Sequence, residues 1–249
     1  MPLSAERNQL LCDMSSCDRE HLSPWLQRVT LALGQVICEP GERLPCAYFP
    51  NGSVVSLLAT MKDGTTAEMG LVGNDGIVGV SIFLGGESSW NRAMVAVAGE
   101  ALSIPAYVLR EQSLLRPAIR EVLLRYTQAL LTQISQTAVC NRLHSVEQRL
   151  CRWLLLCHDR TKSPELLMTQ ELIAHMLGGR RESVTVAAGR LQDRGLIHYR
   201  RGRILILSRA GLEAASCECY GAVEHELERL YAKKLSCQAS KVDELEAAS

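Results

Sequence analysis

The sequence predicts an α+β chain in three consecutive parts: a small antiparallel β-sandwich or barrel, one long helix, and a helix-turn-helix closed by a β-hairpin. Three observations carry that expectation. Between residues 28 and 107, short β-rich runs alternate with glycine turns. From Pro117 to about Leu143 the apolar period lengthens to that of a helix. Over residues 169–207, cap and turn residues fall at the spacing of two short helices and a hairpin.

Taken in order, residues 1–27 read as an N-terminal helical segment. Residues 28–110 form the β unit, with runs VTLAL, QVIC, CAYF, SVVSLLA, AEMGLV, GIVGVSIF, RAMVAVAG and EALSIP between turns such as PNG, KDG and GND. Eleven of the eighteen glycines lie between Gly34 and Gly99, where tight hairpins need them. Residues 111–143 supply the long helix, with Pro117 suited to its first turn. Its stripe of Ile119, Leu123, Tyr126, Leu130, Ile134 and Thr137 is narrow, and predicts pairing with the same helix of a second copy.

After a break near Leu143, residues 144–211 carry SVEQRLCRWLLLCHDR as an amphipathic helix and QELIAHML as a short one, capped by Thr169 and ended by Gly178. A helix-turn-helix requires a small residue at the crossing, a turn residue that tolerates positive φ, and an apolar lock. Ala174, Gly178 and Val184 supply these, with Ile173, Leu177, Ala187 and Leu191 at the junction. The run LIHYRRGRILIL reads as a hairpin turning at RRGR. Residues 212–249 add a further helix and a tail, SKVDELEAAS, expected to be disordered.

Composition narrows the function classes. With 249 residues and 47% hydrophobic content the chain can bury two cores. No apolar run approaches the roughly 20 residues of a membrane span, and the first residues lack a secretion pattern, so a cytoplasmic location is expected. The ten cysteines are dispersed and include no C-x-x-C pair, which favours reduced thiols. A net charge of zero conceals an asymmetry: residues 169–211 hold eight arginines against three carboxylates, whereas residues 212–249 sum to −4.

The basic segment coincides with the helix-turn-helix, and this points to double-stranded DNA. With Val184, Ala187 and Leu191 turned inward, Arg180, Arg181, Glu182 and Thr185 face outward at the start of the second helix. An arginine fork can bond guanine O6 and N7, and a glutamate can accept from cytosine N4. Thr169, Ser183, Arg200, Arg201 and Arg203 are placed for the phosphate backbone. A scaffold that dimerises without DNA would be expected to lack the Arg181–Glu182 pair. A β-barrel metalloenzyme would need histidines in the barrel, and none lies between residues 28 and 107; no enzyme activity is expected.

The succession of β unit, long helix, HSVEQRLCRWLL, TQELIAHMLGGRRESVTVAAGRLQDRGLI and basic hairpin resembles the Crp/Fnr superfamily of bacterial transcription regulators, over roughly residues 20–210. The resemblance implies a double-stranded β-helix (a cyclic-nucleotide-binding-like β-roll), a dimerisation helix, and a winged helix-turn-helix. It implies a homodimer on a palindromic site, contact with RNA polymerase, and base contacts at Arg181 and Glu182 within the R-E-x-V pattern. A further basic contact of the cyclic-AMP branch falls here on Val186.

The family's phosphate-binding cassette is not reproduced in VGVSIFLGGESSWNRAMV: its glutamate position holds Val80 or Ser81, and its Arg-Ser pair reads Ser89-Trp90 unless a shift brings in Arg92. Cyclic AMP in the usual mode is therefore not expected. Trp90 and Arg92, with Val80 and Ser81, could line an effector pocket or lie at the surface. The spacing of Cys12, Cys17, Cys38 and Cys46 does not support an iron–sulfur cluster, and the β unit offers haem no histidine. No cofactor and no metal site is expected. Cys217 and Cys219 lie near the start of the extra helix, with poor geometry for a mutual disulfide.

Overall fold

The computed structural model describes residues 8–86 and 88–230. The expected tail and the first seven residues lie outside that range. The N-terminal segment is helical in two short pieces, α1 (Gln9–Cys12) and α2 (Ser16–Leu22), followed by a 3-10 turn at Ser23–Trp25. Asn8 anchors it. Its Oδ1 accepts from Leu11 N, while its amide donates to the carbonyls of Pro50 and Gly76 at 2.9 and 3.0 Å.

Seven strands follow: β1 (Gln27–Leu31), β2 (Val36–Cys38), β3 (Cys46–Asn51), β4 (Val54–Thr60), β5 (Thr66–Val72), β6 (Arg92–Val97) and β7 (Gly99–Pro105). They form two antiparallel sheets of order β1-β7-β3 and β2-β6-β4-β5. Alternate residues of both sheets, among them Leu31, Phe49, Val55, Val72, Val95 and Leu102, fill one shared core. This is the β-roll. The β4–β5 hairpin turns at Gly64 (φ 85°), where Asp63 Oδ1 accepts from the Thr65 backbone and hydroxyl.

One expected strand is absent. Residues 76–83 make only a single bridge, Val78 to Tyr48, and then a 3-10 turn at Val80–Ile82. The cause is local: Gly79 adopts φ 111°, which ends an extended run, and Gly76 lies so close to the Tyr126 ring that a Cβ would overlap it.

The roll leads through α3 (Ala106–Leu115) into α4 (Pro117–Leu143), 27 residues long and bounded as the sequence indicates. The stripe expected at a seam between two copies is covered within the chain. Ile119, Leu123, Tyr126 and Leu130 are buried in the core of the β-roll with Ile134 packed on it, and Thr137 is buried where its hydroxyl accepts from Arg152 of the following helix. Gln133 completes that contact by pairing with Leu71 on edge strand β5 through both its amide groups, at 2.5 and 3.2 Å. The opposite face of α4 keeps Leu124, Leu131, Ala138 and Val139 exposed.

The C-terminal part comprises α5 (Val146–Thr161), β8 (Glu165–Leu167), α6 (Gln170–Leu177), α7 (Arg181–Asp193), β9 (Ile197–Arg200), β10 (Arg203–Ile206) and α8 (Arg209–Ala215). Residues 219–230 are helical again. This part shares a core with the roll, since Val54, Leu58, Leu71, Ala96 and Val97 cluster with Leu150, Leu154, Leu166, Val184 and Leu212.

Two buried polar contacts cross the junction. Arg160 and Asp75 pair at 2.6 Å, and Glu68 Oε2 accepts from Ser56 Oγ at 2.6 Å and from Trp153 Nε1 at 2.9 Å. Burial pushes the Glu68 carboxyl from the ordinary 4.5 to about 7, against the lowering influence of Ser56, Trp153, Arg152 and Arg160. Because the folded pKa is the higher one, the folded chain retains a proton that the unfolded chain releases across this window. Stability is expected to fall as pH rises from about 4.5 to 7, by up to about 3 kcal/mol. Glu68→Gln keeps an acceptor for both donors without the charge. Its melting temperature should vary less over that window and exceed wild type at pH 8; the same pH slope in both proteins would refute this origin.

Candidate nucleic-acid interface

The interface begins at a hinge. His144 is extended (φ −109°, ψ 151°) between α4 and α5. Ser145 then starts α5 with a reciprocal capping box, its Oγ accepting from Gln148 N while Gln148 Oε1 accepts from Ser145 N. Arg149 in α5 reaches the carbonyl of Leu177 and so holds the end of α6.

The helix-turn-helix follows from its own residues. The Thr169 hydroxyl caps α6 by accepting from Leu172 N at 3.2 Å. Gly178, at φ 57° and ψ 36°, closes α6 in the left-handed region. Val184 is fully buried, and Ile173, Ala174, Leu177, Ala187 and Leu191 are buried with it. That lock fixes which side of α7 faces solvent.

On that side Arg180, Arg181, Glu182, Ser183 and Thr185 are all exposed. No side chain caps the start of α7, and the first intrahelical bond there runs from Val184 N to Arg180 O. The N–H groups of Arg181, Glu182 and Ser183 therefore have no acceptor within the helix, and this end attracts anions. The Thr185 hydroxyl is engaged within the motif, 2.9 Å from Arg181 O and 3.0 Å from Gln170 Oε1.

The wing is a three-stranded sheet of order β8-β10-β9. Strand β8 was not foreseen: ELL is too short for its alternation to be read in the sequence. The two-residue loop Arg201-Gly202 has φ of 49° and 77°, a type I′ turn whose twist suits the hairpin. Met168 N bonds Gly202 O at 2.8 Å, which sets the wing tip beside the Thr169 cap of α6.

Ion pairs sort the arginines. Arg190 and Arg194 face Glu147 at 3.8 and 2.8 Å, Arg209 faces Asp159 at 2.6 Å, and Arg203 faces Glu165 at 3.0 Å. Among the described residues Arg180, Arg181, Arg200 and Arg201 have no carboxylate partner. Of the eight arginines in residues 169–211, the four without a carboxylate partner thus lie at the start of α7 and the wing tip, and Arg203, expected on the phosphate backbone, is engaged by Glu165.

The suggested effector residues are placed as follows. Trp90 is 86% exposed, and Arg92 pairs with Glu39 at 2.8 Å. Val80 and Ser81 lie half-buried in their 3-10 turn. Trp90 has the surface position that was the alternative reading. Elsewhere, Cys140, His144, Cys217 and Cys219 bring their ligand atoms within 4.8 Å of one another, a convergence not anticipated from the sequence. Its one sequence signal is the Cys140–His144 spacing of four, which puts both on one helix face.

A two-sheet β-roll, a long helix and a winged helix-turn-helix together make up the fold seen in solved Crp/Fnr-family regulators, and the chain carries a Crp-like helix-turn-helix domain. Residues 148–215 match the family model of the Crp-like helix-turn-helix domain. Solved structures of the same fold include a putative Crp/Fnr-family transcriptional regulator from Eubacterium rectale, 17% identical, covering 83% of this chain and 96% of its own, with TM-score 0.63. FixK2 from Bradyrhizobium japonicum is 15% identical over 77% of this chain and 98% of its own, with TM-score 0.66. The c-di-GMP-responsive regulator CLP of Xanthomonas campestris is 20% identical over 78% and 100%, with TM-score 0.61. No curated protein sequence matches the chain. No described helix is long and apolar enough to cross a membrane.

Proposed function

We propose that the chain is a homodimeric, sequence-specific transcription regulator that reads a two-fold symmetric DNA site. The observation that supports this best is the clustering of four exposed arginines without carboxylate partners, Arg180, Arg181, Arg200 and Arg201, at the start of α7 and the adjoining wing tip. Arg181 and Glu182 read base edges in the major groove, with Arg180 beside them. Ser183, the free N–H groups of α7, Thr169, Arg200 and Arg201 hold phosphates.

The second copy docks on the outer face of α4. Leu124, Leu131 and Ala138 recur there every seven residues, with Gln128 and Ser135 between them, as a short two-helix seam requires. The β-roll acts through the buried junction at Trp153 and Arg160 rather than through a cyclic-nucleotide cassette, since Arg92 is held by Glu39 and the glutamate position is Val80 or Ser81. Contact with RNA polymerase is carried over from the family resemblance.

Arg181→Ala is expected to weaken the specific site by about 1–3 kcal/mol and to relax the base preference. Arg201→Ala should weaken all duplexes alike and reduce the salt slope by about 1. Titrations of a selected and a scrambled duplex at several salt concentrations separate the two. Identical losses on both duplexes for the two variants would overturn the assignment of α7 as the reading helix.

A further inference from the structure

We propose that Cys140, His144, Cys217 and Cys219 form a mononuclear Cys3His zinc site that clamps the hinge between α4 and the DNA-binding part. All four ligand atoms lie within 4.8 Å of one another. Cys140 Sγ is 3.5 Å from Cys217 Sγ, and Cys219 Sγ is 3.4 Å from His144 Nδ1. Tetrahedral zinc, with Zn–S near 2.3 Å and Zn–N near 2.0 Å, places ligand atoms roughly 3.5–3.8 Å apart. The spacing therefore suits one ion. An iron–sulfur cluster spreads its four ligands over two or more irons and so needs some of them farther apart.

The surroundings have the features of a metal centre. Cys140, Cys217 and Cys219 are buried as a group separate from both main cores. With Nδ1 turned to the sulfurs, His144 presents Nε2 to Glu218 at 3.4 Å, and a carboxylate there fixes the tautomer and raises ligand basicity. Gln136 Nε2 donates to Cys219 Sγ at 3.1 Å, a bond suited to a thiolate. Zinc with three thiolates and one neutral imidazole carries a net charge of −1. Arg152, 6% exposed and hydrogen-bonded to Thr137 at 3.0 Å, lies within electrostatic reach of Cys140 and balances it. Soft sulfur ligands with one imidazole select zinc over magnesium, calcium or manganese.

The position gives the site its consequence. Cys140 lies in the last turn of α4, His144 is the extended hinge residue, and the two remaining cysteines lie at the entry to the helix over residues 219–230. A bound ion ties the hinge to the segment that follows α8, so metal occupancy fixes the angle at which α5 leaves α4.

The test uses the full-length protein prepared under reducing conditions. Elemental analysis should find one zinc per chain after gel filtration. Cobalt titration of the metal-stripped protein should saturate at one ion per chain, with thiolate-to-cobalt charge transfer and the strong visible bands of tetrahedral geometry. Cys217→Ser combined with Cys219→Ser should abolish these bands, and Cys12→Ser should leave them unchanged. The proposal fails if wild type holds no stoichiometric metal and gives no such spectrum, if a Cys140–Cys217 disulfide is found instead, or if the bands survive the double substitution. The wild-type spectrum decides even where the double variant does not fold.

Discussion

Replacing Asp75 with alanine is expected to destabilise the chain by about 3–5 kcal/mol, because it leaves the Arg160 guanidinium buried without its counter-charge. Arg160 is only 3% exposed, and its aliphatic stem passes directly over Gly73, so it has no room to turn toward water. Asp75 also accepts from Gly73 N at 3.0 Å, which fixes the turn that brings the carboxylate under α5. Asp75→Asn retains acceptors and should lose less. Replacing both Asp75 and Arg160 with apolar residues should restore much of the loss, since removing a buried pair together strands no charge. Urea denaturation of the two single variants and the double variant gives the coupling energy. Strictly additive losses would contradict a direct buried pair.

The second large effect is expected on the outer face of α4. Leu124→Glu with Leu131→Glu should convert the dimer to a monomer and reduce affinity for the full symmetric site by about 10²–10⁴-fold, the range by which joining two half-site readers raises binding. Both leucines are exposed in the isolated chain, at 43% and 55%, so the monomer's melting temperature should barely change. Leu123→Glu, one residue away and fully buried, should unfold the chain instead. Sedimentation and circular dichroism distinguish these outcomes. A double variant that remains dimeric would place the interface elsewhere.

The contrast between Leu123 and Leu124 marks where the sequence stopped being informative. The apolar period of α4 establishes that one stripe is covered, and Pro117 and the Ser145–Gln148 box fix its ends, because caps and periodicity are local properties. What covers the stripe is not local. The answer depends on Gly70 and Gly76, which let β5 and the following turn approach the helix, and glycine spacing alone does not reveal a partner some 60 residues away. The helix-turn-helix was legible to the residue for the opposite reason. Ala174, Gly178 and Val184 interact within eleven positions of one another, and each has a steric task that few residue types perform.

The basic patch was legible in total but not in its distribution. Eight arginines are countable, yet which of them are neutralised depends on Glu147, Glu165 and Asp159, brought in by α5, β8 and the end of α5. The Cys–His cluster is the extreme case. Its members are separated by up to 79 residues, and they meet only because the helix over residues 219–230 is tied back to α5 and α8 through Tyr220, Asp159 and Arg209.

The measurement that tests the account most directly is selection of DNA by the purified protein from random fragments. The account predicts enrichment of a two-fold symmetric sequence whose half-sites are centred about 34 Å apart, one helical turn, matching two copies of α7 in successive major grooves. Enrichment should disappear with Arg181→Ala. Recovery of fragments with no shared sequence, whose binding simply weakens as salt rises, would contradict it.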